Sequence, residues 1–135
     1  MTRALRAWGP ALLWAAVIFT ASAQHRVPTP DFGGSDKVAH FGAYGVLGAG
    51  LAYGGAATGV GVLPLVVAGS LYGVSDEVHQ SFVPGRSPDS RDWIADTLGT
   101  LAGVMALHGY FTRRRARAER GGTPSVPPGA DPFGR

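Results

Sequence analysis

The chain contains no cysteine. Disulfides, thiolate metal sites and a cysteine nucleophile are therefore excluded, whatever the compartment. Charge is also scarce: Asp, Glu, Lys and Arg make up 16% of 135 residues, and from Val38 to Ser75 His40 is the one acidic, basic or imidazole side chain. Any chemistry must come from carboxylates, histidines, hydroxyls and arginines. A mass of 13.9 kDa suits a single domain.

The charges that exist are gathered at a few places. Arg3 and Arg6 open the chain, and Arg113, Arg114, Arg115, Arg117 and Arg120 stand against Glu119 near its end. Between residues 24 and 97, Arg26, Lys37, Arg86 and Arg91 face seven acidic residues: Asp31, Asp36, Asp76, Glu77, Asp89, Asp92 and Asp96. The net charge of +3 thus comes from the two ends. A basic tail joined directly to an apolar segment reads as a cytoplasmic membrane flank, and no nucleic acid partner is expected.

What is present is apolar sequence in long blocks: Trp8 to Ala23, Val38 to Ser75 and Trp93 to Phe111. A bilayer core takes about 20 helical residues, so the middle block suits two spans, broken near Gly55 to Gly61. The expected helices are residues 8–24, 36–56, 61–81 and 92–112. None carries the charged face that a soluble amphipathic helix needs. Gly50/Gly54, Gly55/Gly59, Gly69/Gly73 and Gly99/Gly103 lie four apart, a spacing that lets helix backbones approach in lipid. The class is all-α, a four-helix transmembrane bundle. Residues 113–135, basic and then rich in Pro and Gly, are expected to form a disordered cytoplasmic tail.

Residues 1–23 also imitate a cleavable signal peptide, with Arg3 and Arg6, a short apolar core and Ala21-Ser22-Ala23 before Gln24. Orientation is the same whether or not they are cleaved: basic flanks place the N- and C-termini in the cytoplasm, as a multi-pass protein of the inner membrane. The start of helix 2, the end of helix 3 and the start of helix 4 then share the outer side. Those three ends hold nearly all the polar residues. Asp36, Lys37, His40 and Tyr44 belong to helix 2; Asp76, Glu77, His79 and Gln80 close helix 3; Arg86 and Arg91 follow in the loop; Asp92 and Asp96 open helix 4. Asp36/His40, Asp76/Gln80 and Asp92/Asp96 are four apart, so each pair shares a face. Ionisable groups in a bilayer are costly and normally face inward and pair. Either Lys37, Arg86 and Arg91 simply neutralise Asp76, Glu77, Asp92 and Asp96, or the cluster is an outward-facing ligand pocket.

At these residues the sequence resembles a known family. Asp36-Lys37 with His40-Phe41 and Tyr44, Tyr72-Gly73 with Asp76-Glu77 and His79-Gln80, Phe82-Val83-Pro84-Gly85-Arg86, and Asp92 with Thr97, Gly99 and Gly103 are similar to the VanZ-like family of small bacterial membrane proteins. The resemblance spans residues 36–103. It implies four helices, a polar end and a link to the cell envelope, the founding member being associated with resistance to the glycopeptide teicoplanin. It supplies no reaction. Asp96 stands where the family typically has asparagine, which implies a hydrogen-bonding role without fixed charge there.

The expected function is binding of an envelope component (a lipid-linked precursor, a headgroup or a glycopeptide) in the polar pocket, with the bilayer as partner and oligomerisation left open. The alternative is an enzyme acting on a lipid headgroup through His40 and Asp76 or Glu77. No catalytic residue is assigned, and the Arg-Pro, Ser-Gly-His and His-to-Asp blocks of acid-phosphatase-type lipid phosphatases are missing. No cofactor is expected. No metal is expected either, because Asp76-Glu77-Val78-His79-Gln80 is not the paired-histidine spacing of a zinc helix.

Overall fold

The computed structural model describes residues 2–24 and 35–121. Four helices account for nearly all of them: α1 (Thr2–Ser22), α2 (Ser35–Thr58), α3 (Val62–Gln80) and α4 (Ser90–Gly121), with no strand among the described residues. The all-α class and the four helices agree with expectation. Residues 25–34, which make up most of the external loop expected at 24–35, and the tail beyond Gly121 lie outside the described residues.

Two boundaries differ from expectation. The first helix begins at Thr2 instead of residue 8 and runs through Pro10; Ala4, Leu5, Arg6 and Ala7 are favourable helix formers, and their contribution offsets the amide that Pro10 lacks. The last helix continues to Gly121, so Arg113–Arg120 are helical instead of opening a disordered tail. Arginine and alanine propagate a helix well, and cations near its C-terminus complement the helix dipole.

The break between α2 and α3 falls at Gly59, whose φ of 80° ends α2 in a left-handed turn. The amides of Gly59 and Val60 both donate to the Gly55 carbonyl, at 2.8 and 3.1 Å. Pro64 sits in the first turn of α3, where its missing N–H costs nothing. At the start of α4, the Asp89 carboxylate accepts the Arg91 amide at 2.9 Å, a side-chain N-cap.

The centre of the bundle is the pair α2 and α4, with α1 laid on α2 and α3 on α4. Their backbones touch because there are no side chains between them. A Cβ on Gly99 would overlap the Phe41 carbonyl, and one on Gly103 the Gly45 carbonyl. The Gly69/Gly73 pair brings α3 against Thr100 and Asp96, and Gly50/Gly54 brings α2 against Ala11 and Trp8 of α1. Of the four expected glycine pairs these three lie at helix contacts, while Gly55/Gly59 serves the turn. Around this seam, Ala11, Ile18, Tyr44 and Leu47 form one apolar cluster and Ala52, Leu65 and Val104 another.

Polarity is inverted relative to a water-soluble bundle. Asp96 and Thr100 are 0% exposed, whereas Leu13, Leu63 and Phe82 are 71%, 73% and 80% exposed, and large apolar side chains project outward from all four helices. Among the described residues one helix, over Ala4–Ser22, is by length and composition long and apolar enough to cross a membrane.

Candidate functional site

Helix direction brings the N-terminal turns of α2 and α4 together with the C-terminal turn of α3. The end of α1 joins them: His79 stacks on Phe19 with ring centroids 4.2 Å apart, and its Nδ1 lies 3.4 Å from Ser22 Oγ. Two networks occupy this end. In the outer one, Lys37 Nζ donates to Asp36 at 2.7 Å, Asp92 at 2.9 Å and Asp89 at 3.2 Å. The Arg91 amide, and then the Lys37 ammonium, hold the Asp89 carboxyl below its ordinary range.

The inner network is more deeply buried. His40 Nδ1 lies 2.9 Å from Asp96 Oδ1, and His40 Nε2 lies 4.0 Å from Asp92 Oδ2. Gln80 Nε2 donates to Asp76 Oδ2 at 3.2 Å and Arg86 donates to Gln80 Oε1 at 3.0 Å. The Asp89 amide donates to Glu77 Oε2 at 2.9 Å, which ties the loop to the end of α3. Asp76, Glu77 and Asp96 are buried, and one oxygen of each has no protein donor. His40, Glu77 and Asp96 each place a ligand-type atom within 4.8 Å of the others.

Beside this network a cleft of about 280 Å³ opens between α1, α2 and α3. Its α1 wall is apolar apart from Ser22, formed by Trp14, Val17, Ile18 and Ala21, and the opposite wall carries Asp36, His40, Asp76, Gln80 and Arg86 together with Ala39 and Ala43. Trp14 is fixed there by donating its indole N–H to the Ala43 carbonyl at 2.8 Å, and Tyr72 pins α3 to α1 through the Ala15 carbonyl at 2.6 Å.

A family model described as VanZ/LLP1 matches residues 7–111. The chain belongs to the VanZ/LLP1 family. Neither a curated protein nor a solved structure matches it. The VanZ/LLP1 match takes in α1 from residue 7, so it covers all four helices and both walls of the cleft, beyond the residues 36–103 that carry the resemblance in sequence.

Against this VanZ/LLP1 frame the expected polar residues divide into three groups. Asp36, Lys37, His40, Asp76, Glu77, Gln80, Arg86, Asp92 and Asp96 are joined in the two networks. Tyr44 is buried in the core and lines the inner end of the cleft, its hydroxyl without a protein partner. His79 and Arg91 stand apart. Helical geometry turns His79 onto α1, and Arg91 is exposed and joins only through its backbone amide. Simple neutralisation by Lys37, Arg86 and Arg91 reaches Asp92 alone among the four acids named for it. Among the described residues, no Lys or Arg nitrogen lies within 4.0 Å of Asp76, Glu77 or Asp96. Sequence reasoning missed Asp89, which caps α4, binds Lys37 and holds Glu77 through its amide. Its signal was available: an aspartate after Ser87-Pro88, directly before an apolar helix, is an N-cap pattern.

Proposed function

We propose that this VanZ/LLP1 protein is a multi-pass protein of the bacterial inner membrane whose cleft, on the extracytoplasmic side, holds the head of a lipid-linked envelope component. The observation that carries the reading is the division of the cleft into an apolar α1 wall and a polar α2–α3 wall. A molecule with an acyl or polyprenyl chain and a polar head satisfies both walls. A volume of about 280 Å³ lies just under the usual small-molecule range of about 300–1,000 Å³, so the cleft suits a headgroup and not a whole precursor. Among glycopeptides, the apolar wall favours one that carries an acyl chain.

Membrane embedding is supported by the exposed apolar side chains on every helix, since monomeric soluble proteins rarely present such continuous apolar surface. Orientation is supported by charge. Arg113–Arg120 lie at the end of α4 opposite Asp92 and Asp96, and the positive-inside rule assigns that basic end, with both termini, to the cytoplasm.

The test is mass spectrometry of lipids extracted from the purified full chain. Wild-type protein should retain one lipid class, and Ala21→Trp, which fills the cleft from its apolar wall, should retain much less. Equal retention by the two would refute the reading. The cysteine-free chain also suits topology mapping: Ser87→Cys should react with an impermeant maleimide on intact cells, and Ala118→Cys only after permeabilisation.

Headgroup chemistry draws on one specific observation, the His40–Asp96 contact of 2.9 Å, in which a carboxylate orients an imidazole as it does for a general base. That reading requires the extracted lipid to be altered by wild-type protein and left unaltered by His40→Gln.

A further inference from the structure

The inner network contains more buried carboxylate than its protein surroundings neutralise. Asp76, Glu77 and Asp96 are 4%, 8% and 0% exposed. Asp76 Oδ1, Glu77 Oε1 and Asp96 Oδ2 each lack a hydrogen-bond partner. Lys37 is committed to Asp36, Asp89 and Asp92, and Arg86 to Gln80. His40 is the basic group in contact with Asp96, and a single imidazolium cannot balance three carboxylates. An uncompensated buried charge costs several kcal/mol, so such a site either takes up protons or takes up a cation.

The arrangement of donors favours the cation. His40, Glu77 and Asp96 come from three different helices, and their candidate ligand atoms lie within 4.8 Å of one another. Coordination at about 2.1 Å separates tetrahedral ligands by roughly 3.4 Å, so side-chain rotation alone can close the set. The sister oxygen of Glu77 is already held from outside the set, Oε2 accepting the Asp89 amide at 2.9 Å. A ligating carboxylate whose second oxygen is hydrogen-bonded is the usual outer-shell arrangement of a metal site. One nitrogen and two carboxylate oxygens suit a borderline divalent ion, whereas Mg²⁺ and Ca²⁺ prefer oxygen alone.

We propose that His40, Glu77 and Asp96 form a binding site for one divalent transition-metal cation of the Zn²⁺ type, at the edge of the cleft. The site does not depend on what the cleft holds. It escapes local spacing rules because no two of its ligands lie on the same helix.

The experiment uses tag-free full-length protein in detergent micelles, stripped with chelator and titrated with Zn²⁺ by calorimetry. One Zn²⁺ per chain is expected, with excess Mg²⁺ failing to compete. Glu77→Gln and Asp96→Asn should each weaken binding by roughly tenfold or more, while His79→Gln and His108→Gln leave it unchanged. Absence of saturable uptake by folded wild-type protein would overturn the proposal, as would unchanged affinity in both carboxamide variants. A second arm needs no variant: Co²⁺ added to the wild-type chain should develop the intense visible ligand-field bands of a four- or five-coordinate site. The weak spectrum of hydrated Co²⁺ alone would equally overturn it. Either result leaves the lipid-retention test independent.

Discussion

The His40–Asp96 contact allows a quantitative test of whether the inner network is ionic. Consider His40→Ala, Asp96→Ala and the double variant, unfolded with denaturant in micelles with chelator present. The His40 side chain is 15% exposed and that of Asp96 0%. Removing His40 strands a fully buried carboxyl with neither oxygen partnered, and breaking a buried pair in this way costs about 3–5 kcal/mol. Removing Asp96 instead leaves an imidazole with some access to the cleft, which should cost about 1–3 kcal/mol. In the double variant neither member of the pair is left stranded, so its loss should fall well below the sum of the two. The coupling energy should exceed about 1.5 kcal/mol, against an average of about 0.6 kcal/mol for hydrogen bonds between transmembrane helices. Coupling at or below that average, or a larger loss from Asp96→Ala than from His40→Ala, would refute the ionic description.

Gly103→Val should destabilise the fold by about 1–3 kcal/mol or more, because its side chain meets the Gly45 carbonyl; thermal unfolding reads this, with Gly42→Ala, which meets nothing within 4 Å, as the neutral control. Asp89 gives a pH dependence of definite sign. Its carboxyl is held below the ordinary value of 3.8 by the Arg91 amide and by Lys37, so its stabilising contribution is complete above that value and is lost as pH falls through the lowered one. Lys37→Met should therefore shrink the stability that is lost on acidification, and identical acid profiles for the two proteins would contradict the assignment. Intact-mass measurement of membrane-extracted protein should find residues 1–23 retained, since Trp14, Val17, Ile18 and Ala21 supply a wall of the cleft; a product beginning at Gln24 would remove that wall.

The helices were legible because long uncharged blocks, Gly59 and Pro64 mark them directly. The polar end was legible because antiparallel order alone places Asp36, Asp76 and Asp92 on one side. The pairings within it were not. That Lys37 reaches Asp89 and Asp92, while Arg86 stops at Gln80, depends on loop backbone and side-chain length, which residue spacing does not encode. The rotation that sends His79 to Phe19 follows from helical periodicity, but its destination follows from where α1 docks. The helical Arg113–Arg120 segment was hidden by its charge, which reads as tail although arginine favours helix. The His40, Glu77 and Asp96 group was hidden because its members are separated by 37 and 19 positions.

The contact of Gly99 and Gly103 with the carbonyls of Phe41 and Gly45 lies next to His40 and Asp96 in the chain. Residues with no functional groups of their own therefore set the distance between an imidazole and a carboxylate. Sliding either helix by a fraction of a turn would separate the two groups. Among variants that still insert and fold, a single added methyl on that seam should accordingly disturb the His40–Asp96 contact without touching either side chain.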